Sequence, residues 1–302
     1  MLSGHYILGH ELEAFEKEFS AWLGATDTVG VGNGTDAIEL ALLAAGIGPG
    51  DKVVREGVSN VAFALQGFAY SWFGQSLAAL RLPYALLGAL EVFFVYLLGK
   101  EVGGKKAGTW GQLASFSFYP TKNLGAYGDA GAVTGRDPVL LEKVRLLRQY
   151  GWRKRYVSDL NGRNSRLDEL QAAILRVRLA RLDAENGRRN EMAGQYLTAL
   201  KDTPLRLPVT AEGRTHTWHQ FVVRTPKRDE LQAHLAKKDI VCGVLYPVPI
   251  HRQPAYHDAT LSLPQTEQAC AEVLSLPLHP GLKDDDVARV AREVKGFFEP
   301  AK

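Results

Sequence analysis

The sequence predicts an α/β protein in two parts: a large domain over residues 1–199 with a mixed, mostly parallel sheet flanked by helices, and a small α+β domain over 200–302. Three observations carry this. A chain of 302 residues is long enough for two domains and a sizeable core. Through the first two hundred residues, helical apolar spacing is interleaved with short alternating runs and glycine turns. Beyond about residue 200 the rhythm changes to strands such as 219–224 and 240–246, separated by a helix over 228–238.

Composition narrows the class. Charged residues at 23% and hydrophobic ones at 46% suit a packed globular protein and exclude disordered, collagen-like and coiled-coil chains. The formal charge is only +3 and the basic residues are dispersed, so no nucleic-acid partner is expected. Cys242 and Cys270 stand in no metal-ligand spacing, which points to a reducing, cytoplasmic setting. The amino terminus lacks a basic stretch followed by an apolar run and does not read as a signal peptide.

In chain order, Leu12, Phe15, Phe19 and Leu23 recur at helical spacing after an acidic start, predicting a helix over 11–23. A second helix follows Asn33-Gly34-Thr35-Asp36, with Gly46 as its stop. Ser115 to Phe118 alternate as a strand, a loop punctuated by Gly125, Gly128 and Gly131 follows, and Leu140 to Tyr150 should be helical. One long helix is expected from near Arg166, with Leu167, Leu170, Ile174, Val177 and Leu182 on its apolar face and Ser165 with Asp168 as a capping box.

Residues 55–99 break this pattern. Between Gly57 and Gly99 only Arg81 and Glu91 are charged. The run from Leu82 to Leu98 falls just short of the ~20 apolar residues that span a bilayer. A buried helix or strand is the preferred reading over a membrane span, so no membrane partner is expected.

The string SFSFYPTKNLGAYGDAGAV places Lys122 just beyond a strand and ahead of a run of glycines. An amine in such a place can condense with an aldehyde when its surroundings favour the neutral form. The alternative is a surface lysine at a strand end. Gly34 and Thr35 begin a helix, offering backbone N–H groups and a hydroxyl to a phosphate, although a plain cap by Thr35 or Asp36 explains the same letters. Ser117 adds a second hydroxyl. An imine-forming lysine with a phosphate cradle suggests pyridoxal 5′-phosphate.

At this point the chain resembles the DegT/DnrJ/EryC1/StrS aminotransferases, pyridoxal-phosphate enzymes of fold type I. The motifs, in order, are SGHYILGHELEAFEKEF, GVGNGTDAIELAL, AGTWGQLASFSFYPTKNLGAYGDAGAV, NSRLDELQAAIL, WHQFVVR, YPVPIHRQPAY and VLSLPLHPGL. The resemblance implies a homodimer that moves an amino group from glutamate or glutamine to a nucleotide-linked keto-sugar. By that resemblance Lys122 forms the imine with the cofactor and shuttles the proton. Gly34, Thr35 and Ser117 hold the phosphate, and Asn164 reaches it from the neighbouring subunit. Tyr246 and His251 line the sugar-nucleotide cleft; for His251 a loop histidine bonded to backbone is the alternative, and His219 reads as structural.

The resemblance also implies a carboxylate on the pyridine nitrogen, on a strand upstream of the lysine near Phe93 or Phe94. No Asp or His occurs between Lys52 and Tyr127, and Glu91 is the nearest acid to the expected place. Residues 55–99 match the family poorly, and the amino terminus begins late relative to it. A frame disruption or internal replacement accounts for both departures, and it puts catalysis by this chain in question.

Overall fold

A computed structural model describes residues 7–47, 111–211, 214–257 and 260–299. The expectations for the missing carboxylate, for Glu91 and for the apolar run 82–98 lie outside these residues. Contacts group the chain into two units, one ending at Asp183 and the other resuming at Ala184, inside the helix Leu182–Leu200.

The first unit is built on β1 (Asp27–Val31), β2 (Leu113–Ser117) and β3 (Gly131–Gly135) in the order β1-β3-β2. Both pairings are antiparallel, and among the described strands no parallel pair occurs. Central β3 is buried along its whole length, as befits a strand covered on both faces. Helix α1 (His10–Leu23) turns Leu12, Phe15, Phe19 and Leu23 inward, and Gly24 ends it with φ +75°. Phe15 and Phe19 meet Phe118 edge-on at 5.4 and 5.2 Å between ring centroids, tying α1 to the segment leaving β2. Helix α2 (Gly34–Ala44) follows β1, and Gly46 at φ +78° is the stop expected for it. Helix α3 (Pro138–Leu147) starts on an Asp137 cap whose side chain accepts from the Val139 and Leu140 amides. A short hairpin, β4 (Trp152–Lys154) with β5 (Val157–Ser158), leads to the next helix.

The single long helix expected from Arg166 is two helices, α4 (Glu169–Leu179) and α5 (Leu182–Leu200). The break at Ala180 and Arg181 lets Leu182 join Leu175 and Leu179 in one apolar cluster with α1. The buried stripe of α4 is Ala172, Leu175 and Leu179, whereas Leu170 and Val177 are exposed. No capping box forms at its start, because Asp168 makes no cap bond and the Ser165 hydroxyl is committed elsewhere.

The second unit holds the antiparallel pair β6 (Phe221–Arg224) and β7 (Val273–Leu276), with α6 (Arg228–Ala236), α7 (Pro264–Glu272) and α8 (Asp284–Phe298). Helix α8 buries Val287, Val290, Ala291 and Val294 at i, i+3, i+4 and i+7. They pack with Tyr196, Phe221, Leu231 and Leu274 into one core. The strand expected over 240–246 does not form. Gly243 makes a single bridge to Ser275, while Val241, Leu245 and Tyr246 face outward and Pro247 cannot donate to a ladder. Among the described residues no helix is long and apolar enough to cross a membrane.

Candidate active site

The site is assembled where β2 ends and β3 begins, against the start of α2. Gly131 is the register partner of both Val31 and Ser117, so the last residue of β2 and the first of β3 lie side by side. A Cβ on Gly34 would sit 2.5 Å from the Ser117 Cβ and 2.9 Å from its Oγ; one on Gly131 would lie 2.4 Å from the Asn33 carbonyl oxygen. Three segments distant in sequence thus meet at van der Waals limits, and two of the contacts require glycine. The Asn33 side chain caps α2 by accepting from Asp36 N at 2.8 Å. This corrects the sequence alternative of Thr35 or Asp36 as cap, and the Asn-x-x-Asp spacing was the signal for it. Among the described residues the Gly34 and Thr35 amides have no acceptor, and the Thr35 side chain is exposed. Two free N–H groups at a helix start, a serine hydroxyl beside them and no side chain over the glycines make a concave anion cradle.

A Gly34→Ala variant should lose about 1–3 kcal/mol of stability, because the added methyl meets the Ser117 backbone as well as its side chain. Urea unfolding checks this.

Lys122 lies half-buried in the turn that follows β2, its backbone N–H donating to the Tyr119 carbonyl at 2.8 Å. Among the described residues no hydrogen bond or ion pair engages its Nζ. The turn is rigidly held. Gly125 passes so close to the Pro120 carbonyl that a Cβ would stand 2.6 Å from its oxygen, and Ala126 N donates to Phe118 O at 2.8 Å. From α4, Arg178 Nη1 donates to the Gly125 carbonyl at 2.8 Å and Gln171 Oε1 accepts from Tyr127 N at 2.8 Å.

The segment entering α4 grips the other half of the cradle. Ser165, buried and one residue after exposed Asn164, accepts the Gly32 N–H on its Oγ at 3.0 Å. Glu169 caps the start of α1 by accepting from the Gly9, Glu11 and Leu12 amides. Sequence reading gave no role in the site to Asn33, Gly131, Gln171 or Arg178, and it gave Ser165 a different one. Apart from the Asn33 spacing, none of these contacts leaves a local signature, since each is a pairing across the fold.

In the second unit Tyr246 is exposed and His251 is buried, its Nε2 2.7 Å from Glu267 Oε1. The same carboxylate accepts from Leu263 N at 3.2 Å and Arg252 Nη2 at 3.1 Å. The His251 bond, then the Leu263 amide and the Arg252 guanidinium, hold Glu267 down at about 2 against an ordinary 4.5. Between those values the folded chain binds fewer protons than the unfolded one. The stabilisation is therefore present above about pH 4.5 and lost as pH falls towards 2. Thermal unfolding of the parent and Glu267→Gln should show a gap in Tm that is constant above about pH 5 and closes on acidification. A gap independent of pH would exclude the carboxylate charge as its source.

Cys242 is buried, with its thiol pushed up to about 11 by desolvation, so it is not a nucleophile; Cys242 and Cys270 are both free. Among the described residues no group of acidic, His or Cys side chains could hold a metal.

A lysine in the turn that leaves Ser117, the serine of the anion cradle, suits the class of pyridoxal-phosphate enzymes, and the glycine cradle fits that cofactor's phosphate end. The chain belongs to the DegT/DnrJ/EryC1/StrS aminotransferase family, whose profile matches residues 1–66 and 97–295. The fold is type I and the cofactor of the family is pyridoxal phosphate. The chain is 40% identical to the dTDP-3-amino-3,4,6-trideoxy-alpha-D-glucose transaminase of Streptomyces venezuelae, covering 98% of this chain and 89% of that one. It is 36% identical to the dTDP-3-amino-3,6-dideoxy-alpha-D-galactopyranose transaminase of Aneurinibacillus thermoaerophilus, with 98% and 92% covered. Among solved structures, S. venezuelae DesV in complex with a ketimine intermediate superposes with a TM-score of 0.82 at 37% identity, over 99% of this chain and 92% of that chain.

The family profile leaves residues 67–96 unmatched, inside the stretch that reads as foreign. The alignment with the S. venezuelae transaminase runs over 342 positions against a chain of 302, so at least 40 of them have no counterpart here.

Proposed function

We propose that this protein transfers an amino group from glutamate or glutamine to a keto-sugar carried on a nucleotide, acting as a cytoplasmic homodimer with pyridoxal phosphate. The observation that carries the reading is the convergence of the Gly34 and Thr35 amides with Ser117 and Gly131, on the strand that runs into the Lys122 turn. Both transaminases named above act on sugars of this kind, which supports the substrate class. Two free thiols fit a reducing compartment.

When bound, pyridoxal phosphate supplies an electron sink for the carbon that loses its proton. The chain supplies the rest. The Gly34 and Thr35 N–H groups and the Ser117 hydroxyl bind the phosphate dianion, and the α2 dipole adds to that attraction. Lys122 Nζ would hold the cofactor at its aldehyde carbon and, once released, would move the proton between that carbon and the amine-bearing carbon of the substrate. Asn164, exposed on its own subunit, reaches the phosphate of the neighbouring one. Tyr246 and His251 orient the nucleotide-linked sugar, with Glu267 holding the imidazole.

The test is to incubate the purified protein with pyridoxal phosphate, glutamate and a dTDP-linked keto-sugar, and to look for 2-oxoglutarate and the amino-sugar by mass spectrometry. Both products are expected in equal amounts; formation of no amino-sugar with glutamate, and none with glutamine in its place, would refute the reading.

A second reading rests on the absence of Asp and His between Lys52 and Tyr127 and on the unmatched residues 67–96. An electron sink requires a protonated ring nitrogen, which a carboxylate normally secures. In this reading the chain binds the cofactor without turning over. A bound-cofactor absorption band with no product would favour it.

A further inference from the structure

The mouth of the cradle is held by a residue that belongs to neither of the strands nor to α2. We propose that Ser165 is a positioning residue for phosphate binding: its buried hydroxyl clamps the Gly32 amide and so aims the free Gly34 and Thr35 N–H groups at the anion. The inference rests on the functional reading above and adds to it a residue that touches no cofactor.

Ser165 is 1% exposed, and its Oγ accepts from Gly32 N at 3.0 Å across 133 residues of sequence. Its own N–H donates to the Arg148 carbonyl at 2.9 Å, so the hydroxyl is presented from a backbone fixed at the end of α3. A Cβ on Gly32 would approach Ser165 Oγ to 3.3 Å and Ser165 Cα to 3.6 Å, so the loop is seated directly against the serine. Gly32 stands between the end of β1 and the Asn33 cap, two residues before the first free amide. Without the hydroxyl, the Gly32 amide loses its acceptor and the β1–α2 connection loses its hydrogen-bonded tie to the segment entering α4. The hinge created there rotates the Gly34 and Thr35 donors away from a common point. Binding of a phosphate by preorganised donors should weaken accordingly, while binding that depends on the aldehyde alone should not.

Three proteins decide it: the parent, Ser165→Ala, and Ser165→Cys, which fills the same space with a far poorer acceptor. The first readout needs no cofactor. Hydrogen exchange of the amides over residues 30–37 in the free protein should quicken about tenfold in both variants, with the melting transition still cooperative. The second compares pyridoxal phosphate with pyridoxal, which lacks the phosphate, by absorbance titration. Both variants should bind pyridoxal phosphate about tenfold more weakly than the parent and pyridoxal equally well. Parental exchange rates in Ser165→Cys would assign the effect to volume and overturn the proposal. An equal loss for both ligands, or no loss for either, would overturn it as well. A parent that binds neither ligand would overturn the functional reading, and the exchange rates would still decide whether Ser165 orders the loop.

Discussion

Lys122→Ala is expected to remove the absorption band of bound pyridoxal phosphate and to leave no cofactor covalently attached after borohydride treatment. Transamination should fall by about 10⁴-fold or more, because one side chain supplies both the covalent link and the proton transfer. The turn that presents Lys122 is fixed by backbone bonds from Lys122 N to Tyr119 O and from Ala126 N to Phe118 O, none of which uses the amine. The variant should therefore fold like the parent, and its unfolding free energy should stay within about 0.5 kcal/mol of it, as for a surface change. An adduct recovered at another lysine in the parent would remove the basis of the site assignment. Lys122→Arg keeps the charge and should be as inactive as the alanine variant, since a guanidinium is never neutral enough to attack an aldehyde.

Arg148→Ala should be the most destabilising single change in the first unit, by about 3–5 kcal/mol in urea unfolding. Arg148 Nη1 donates to Glu16 Oε1 at 2.7 Å and to the Gly30 carbonyl, and Glu16 Oε1 accepts from the Gly30 amide at 2.7 Å. Both side chains are nearly closed off from solvent, at 8% and 12% exposure, so removing the cation strands a buried carboxylate. The pair also satisfies the free edge of β1 at Gly30, which stands outermost in the described sheet. Replacing both residues by methionine should recover only part of the loss, because the stranded charge is gone while the Gly30 amide and carbonyl stay unpaired. A double variant no more stable than Arg148→Ala would show that the edge, rather than the charge, dominates. Losing so much from a total of about 5–15 kcal/mol would also unsettle the cradle at Gly34, which follows Gly30 closely along the chain.

Much of the helical scaffold was legible. The stripe Leu12, Phe15, Phe19 and Leu23 and the glycine stop at Gly46 follow from a period of 3.6 and from the αL cap, both local properties. The expectation failed where two local signals competed. Leu170 and Val177 fit a helical apolar face as well as Leu175 and Leu179 do, and only contact with α1 decides which stripe is buried. Ser165 fits a capping box, yet its hydroxyl is taken by Gly32 from across the unit. The strand expected over 240–246 had the right residues and lacked a partner beyond Gly243.

By itself the sequence determined which chemistry is available: a lysine after a strand, glycines and hydroxyls suited to an anion, and no aspartate upstream where a pyridine nitrogen would want one. Only the tertiary structure decided that Gly34, Ser117 and Gly131 touch, and that α4 holds the Lys122 turn while the segment entering it holds the Gly32 loop. The division has a physical cause. Residue types and short periods act within a few positions, whereas these contacts join segments 53 to 133 residues apart through packing that no single stretch encodes.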